Sequence, residues 1–141
     1  MKPKINKRSN KSSVAKSTIS EYFNVLSSNA NGLKFKLESL KYLVKHLNIG
    51  LFTLQETKLM KKGKVKIEGF ELFEAFRKKD GGGTLIGAHK TLEPILIQEY
   101  SEDFELIIVE IKIEDNKLRV ISGYGPQETW TLDKRMPFLL L

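Results

Sequence analysis

An α/β domain with α+β character is what this sequence predicts, on three observations. A strand, an amphipathic helix and a second strand follow one another within about 35 residues, between Tyr22 and Thr57. From Phe70 onward, short apolar stretches recur between clusters of Gly, Asp, Asn and Glu, and no helical period interrupts them before Tyr124. No segment repeats with the 20–50-residue period of a solenoid or propeller.

"YFNVLSS" (22–28) alternates through Phe23 and Val25 and predicts the first strand, with Asn29 to Gly32 as the loop after it. Leu33, Leu37, Leu40, Val44 and Leu47 then recur at spacings of four, three, four and three. That spacing puts all five on one face of a helix over about 34–47, ended by Asn48 and Gly50. "LFTL" (51–54) is short and apolar enough for a buried strand, which the helix would connect to the first strand as a βαβ unit. The lysine-rich 58–69 is expected to be a loop and "FELFEAFR" (70–77) a strand. Gly81 to Gly83 make a turn into a strand over 84–89. That glycine run lacks the lysine and hydroxyl residue of a P-loop. "EPILIQEY" and "FELIIVEIKI" are further strands, and "EDNK" (114–117) predicts a hairpin into "LRVISGYG". A helix is expected to start after Thr129.

The 141 residues, 40% of them hydrophobic, suit one ordinary domain with a real core. The absence of cysteine excludes a disulfide framework, a thiol nucleophile and thiolate-bound metal, and fits an intracellular setting. No apolar run approaches the roughly 20 residues that span a bilayer, so no membrane partner is expected. The net charge of +7 is concentrated: Lys2, Lys4, Lys7, Arg8, Lys11 and Lys16 lie in residues 1–20 with no acidic residue. Such a segment is a solvated disordered tail, a sequence-independent contact for nucleic acid or a nuclear address. The domain proper is expected over 21–141.

Chemistry-bearing residues gather at the ends of the predicted strands, where open α/β sheets place their ligands. Asn29 and Asn31 follow the first strand, Glu56 the second, and Tyr124 ends the last. A carboxylate there can hold a hard cation, an amide can orient the carboxylate or a phosphate oxygen, and a phenol can donate to phosphate. His46, beside Lys45 on the polar side of the helix, is expected at the surface, and His89, without a nearby acid, is expected to be structural.

In their order and spacing, "NVLSSNANGL", "LFTLQETK", "GGGTLIG" and "VISGYGPQE" resemble successive motifs of the endonuclease/exonuclease/phosphatase superfamily, which includes abasic-site and LINE-type retrotransposon endonucleases. The resemblance covers about 22–141, and "LQET" is its most specific piece. It implies metal-assisted phosphodiester hydrolysis with Mg2+ or Mn2+ and nucleic acid as partner. Asn29 and Tyr124 would be the catalytic residues, Glu56 the metal carboxylate, and Asn31 a weaker metal position where many members carry aspartate. Gln127 would contact phosphate or substrate where asparagine is common.

The resemblance also implies what this chain lacks. The family's G-D-x-N and S-D-H motifs, which supply the rest of the phosphate site and the general base, have no counterpart after Tyr124. The family fold is a four-layer αββα sandwich, so the chain is expected to be its incomplete front part. That part would hold one mixed, mostly antiparallel sheet with covering helices, leaving an apolar face bare for a C-terminal half or another partner. A fragment of this kind is expected to be inactive alone. The alternative is a non-catalytic fragment that binds nucleic acid or protein through its basic tail.

Overall fold

The computed structural model describes residues 23–76, 81–101 and 104–125. The α/β class stands. Along the chain run β1 (Asn24–Asn29), α1 (Leu37–His46), β2 (Ile49–Gln55), β3 (Phe70–Ala75) and β4 (Thr84–His89). A 3-10 turn (Lys90–Leu92) then leads to β5 (Ile95–Ser101), β6 (Glu105–Ile113) and β7 (Asn116–Tyr124). The predicted βαβ unit is present: β1 and β2 pair in parallel, Leu26 opposite Phe52 and Asn29 opposite Gln55. The predicted hairpin is present too, its two-residue connection Glu114–Asp115 joining Ile113 to Asn116.

The strands form two sheets where one was expected. The first has the order β1-β2-β4-β3, with β4 antiparallel to both neighbours; the second is the antiparallel β5-β6-β7. Physically, the chain leaves β4 through the 3-10 turn and through Glu93, which takes a left-handed φ of 47°, so β5 starts a separate sheet. That sheet folds back under β3 and β4, placing Ile107, Val109 and Ile111 against Leu51, Ala75, Ile86 and Ala88. The face predicted to be bare is therefore covered by the chain's own β6.

On the other side of the first sheet, α1 contributes Leu40 and Val44, and the loop before β3 contributes Val65 and Ile67, to a core with Phe52, Leu54, Phe70 and Leu85. Helix, sheet and sheet make three layers among the described residues. β2 and β4 are buried on both faces, which is why their sequences are apolar runs rather than alternating ones. Gly87 is required at the centre of β4, because a Cβ there would collide with the Phe52 ring.

The helix is shorter than its stripe. Leu33 is buried just before it, and Leu47 is the C-cap and 52% exposed, so the predicted face holds for four of five leucine and valine positions. Asn48 ends α1 at φ 47°, and Asn24 closes the same end by donating Nδ2–H to the Leu47 carbonyl at 2.6 Å. Gly50 lies inside β2 rather than terminating the helix. β1 is an edge strand and Val25 is exposed, against the expectation from its alternation. Exposed apolar side chains sit instead on the second sheet, at Ile95, Leu96, Ile97, Leu118 and Ile121. No described helix is long and apolar enough to cross a membrane.

Candidate functional site

Four chain segments meet at one end of the two sheets: the turn after β1, the turn after β2, the glycine turn before β4, and the end of β7. Backbone hydrogen bonds fasten the first two together. Ala30 N donates to Gln55 O (2.8 Å), Gly32 N to Glu56 O (2.8 Å) and Leu33 N to Thr57 O (2.9 Å). To make these bonds, Asn31, Glu56 and Lys58 all adopt left-handed φ, between 42° and 53°. That conformation costs a non-glycine residue about 1–2 kcal/mol, so the surrounding bonds must hold it.

The glycine turn is the clamp. Thr57 N donates to Gly83 O (3.3 Å) and Lys58 N to Gly82 O (2.9 Å). Gly83 has φ 90°, and a Cβ on it would lie 2.5 Å from the Thr57 hydroxyl. Its own N–H donates to Oε1 of Glu105 at 3.0 Å, a carboxylate fully buried at the start of β6. A second tie crosses the sheets deeper in: the Thr84 and Ser122 hydroxyls are 2.6 Å apart, Gln55 Nε2 donates to Ser122 Oγ (3.3 Å), and Thr84 Oγ1 donates to Leu54 O (3.2 Å). Buried hydroxyls are costly unless bonded, and here each finds a partner.

At the mouth of this framework the Tyr124 hydroxyl donates to Glu56 Oε1 at 2.8 Å, joining residues 68 positions apart and the ends of both sheets. Both residues are half-buried. Glu56 Oε2 has no hydrogen bond among the described residues. Asn31 is drawn to the same turn by Lys58, whose ammonium donates to its Oδ1 at 2.6 Å. Asn29 turns inward on its own loop, its Oδ1 accepting from Asn31 N at 2.9 Å. Of the sequence-predicted site, Glu56 and Tyr124 thus touch, Asn31 is held beside them through Lys58, and Asn29 shapes the loop. Gln127 and the tail residues Lys2, Lys4, Lys7, Arg8, Lys11 and Lys16 lie outside the described residues.

Sequence reasoning missed Lys58, Glu105, Thr84 and Ser122. Lys58 was within reach, since it follows Glu56 by two residues in "QETK"; the others act across the sheets and leave no local signal.

The histidines are elsewhere. His46 is exposed on α1 and stacked on Tyr42, ring centroids 4.1 Å apart. His89 is buried at the far end of β4, its Nδ1 2.8 Å from the Thr91 hydroxyl and its ring edge-on to Phe70. Burial, helped by neighbouring Lys90, holds its pKa below the ordinary histidine value. It also lines a cleft of about 680 Å³ with Lys41, Lys45, Lys66 and Asn48, at the opposite end from Glu56.

Among the described residues no three acidic or histidine side chains cluster as a ready-made metal cage. Mg2+ does not need one: it keeps most of its waters and is commonly held by one or two carboxylates together with substrate phosphate. Glu56, with hard oxygen donors and Oε2 without a hydrogen bond among the described residues, fits one corner of such a site.

The sandwich of two sheets, with its polar corner at the strand ends, is shared by solved structures of endonuclease/exonuclease/phosphatase-like fold. The abasic-site (AP) endonuclease LMAP from Leishmania major superposes with a TM-score of 0.63 at 16% identity, over 82% of this chain and 44% of that one. TDP2 from D. rerio, solved with single-strand DNA product, gives 0.55 at 17% identity, over 84% of this chain and 52% of that one. The mannosyl-6-phosphatase Bt3783 from Bacteroides thetaiotaomicron gives 0.55 at 13% identity, over 84% and 57%. The chain thus spans about half the length of these structures. No protein-family model matches it, and no curated protein sequence matches it either.

Proposed function

We propose that this chain is the front part of a metal-dependent phosphodiester hydrolase acting on nucleic acid, and that the 141-residue polypeptide is inactive by itself. The observation that carries the reading is the 2.8 Å bond from Tyr124 to Glu56, which sets a phenol and a carboxylate side by side where the two sheets end. Glu56 would hold Mg2+ or Mn2+, with Asn31 beside it. A cation bound there would supply charge neutralisation on the phosphate oxygens.

The chain's own residues do the positioning. Tyr124 has one hydroxyl proton, which in the free protein goes to Glu56 and fixes the carboxylate; turned to a phosphate oxygen, the same proton would stabilise developing charge. The left-handed turns at Glu56 and Lys58 hold both groups at the mouth, and Gly83 and Glu105 brace those turns. Attack on phosphorus also needs a group to take a proton from water. His89 lies at the other end of β4 and His46 on the outer face of α1, and neither can reach. That is the ground for expecting no turnover from this polypeptide alone. The absence of cysteine and the six cations of residues 1–20 suit an intracellular, nucleic-acid-facing protein, nuclear delivery included.

Two measurements test the proposal. Mn2+ titration followed by electron paramagnetic resonance should show binding that Glu56→Ala abolishes; equal binding by the variant would remove Glu56 from the metal site. Supercoiled DNA incubated with the chain and Mg2+ should stay intact, whereas nicking that disappears in Glu56→Ala would sink the inactivity.

A further inference from the structure

Phe35 stands in the turn between Leu33 and the start of α1, and 94% of its surface is exposed. The other exposed large apolar side chains among the described residues reach at most 63%. Packing does not require it there, because Leu33 and Leu40 anchor this segment to the core. A phenyl ring left wholly in water forgoes burial, so its place calls for something that covers it on binding.

Its base is fixed to the candidate site. Leu33, two residues earlier, donates its N–H to Thr57 O at 2.9 Å, and Thr57 follows Glu56 directly. One residue later, Lys36 donates its N–H to Leu33 O (2.9 Å) and its ammonium to Ala30 O (2.6 Å). The ring therefore projects from a braced turn. One cation lies beside it: the Lys34 ammonium is 5.6 Å from the ring centroid and has no ion pair among the described residues.

We propose that Phe35 and Lys34 form a stacking subsite for an unpaired nucleobase of single-stranded nucleic acid, the ring taking the base face and the ammonium an adjacent phosphate. An aromatic face beside a mobile cation is the minimal apparatus for holding a single strand without reading its sequence. The subsite, which rests on the nucleic-acid reading above, narrows the substrate to one that carries a base face next to a phosphate.

The test is fluorescence anisotropy of the full chain with a labelled 12-residue DNA single strand in EDTA, repeated with a base-free strand of equal length built from tetrahydrofuran abasic units. Phe35→Ala should weaken binding of the base-bearing strand by about 5- to 150-fold, with the salt dependence unchanged. Phe35→Trp should restore it. Lys34→Ala should weaken both strands and flatten the salt dependence by about one unit. On the base-free strand Phe35→Ala should change nothing. Equal binding by Phe35→Ala and wild type, or equal losses on the two strands, would overturn the subsite while leaving the nucleic-acid reading intact; the second pattern would point to a ring that meets the sugar–phosphate backbone rather than a base. If the wild type bound neither strand, the nucleic-acid reading itself would fall, and the subsite with it.

Discussion

The two ends of the first sheet are built from the same strands and held by opposite means. At the Glu56 end, Asn31, Gly32, Glu56, Lys58 and Gly81 to Gly83 all have positive φ, and hydrogen bonds tie four segments together. At the His89 end, Asn48, Gly69 and Glu93 adopt that conformation, as does Glu114 in the β6–β7 turn on the same side, and each does the ordinary work of stopping a helix or turning the chain. Left-handed residues at one end terminate elements, whereas at the other they aim a carboxylate and an ammonium. Three left-handed non-glycine residues gathered at one corner are the reason the candidate site is placed there.

The largest effect should come from breaking the clamp. Gly83→Ala adds αL strain and a Cβ 2.5 Å from Thr57 Oγ1, and should cost about 3 kcal/mol in urea denaturation. Gly81→Ala, with similar φ but open space around it, should cost only about 1 kcal/mol. Equal costs would show that the clamp at Thr57 is not what matters. Next, Asn31→Asp would place a second carboxylate beside Glu56 and should tighten Mn2+ by roughly tenfold, read by paramagnetic resonance. Lys58 already donates to that side chain, so no gain would mean that the lysine claims the new charge.

Tyr124→Phe removes the donor to Glu56 and should lower stability by about 1 kcal/mol, since the pair is only half-buried. The smallest effect belongs to the far end. The lowered pKa of His89 means that its contribution is complete above the unfolded value near 6.5 and is lost as pH falls through the folded value. Stability measured from pH 7.5 to 5 should therefore decline less in His89→Gln than in the wild type; parallel curves would contradict that assignment.

What the sequence makes legible follows from range. Helix α1, strand β4 and the β6–β7 hairpin are written in local periodicity and turn residues, and their positions emerge nearly as expected. Glu56 and Tyr124 are legible through their motifs, although nothing in either motif shows that they touch. The partition into two sheets is not legible, because it depends on one turn at Glu93 and on which apolar face Ile107, Val109 and Ile111 find. Glu105 reads as one of two acids interrupting an apolar strand. Its buried bond to Gly83 N, 22 residues away, exists only once the sheets pack.

The most direct test of which end is functional is paramagnetic line broadening by Mn2+ across the backbone amide spectrum of the full chain. Broadening should centre on Asn29 to Gly32, Glu56 to Lys58, Gly83 and Tyr124, and should vanish in Glu56→Ala. Broadening centred on Asn48 and His89, or unchanged by Glu56→Ala, would contradict it.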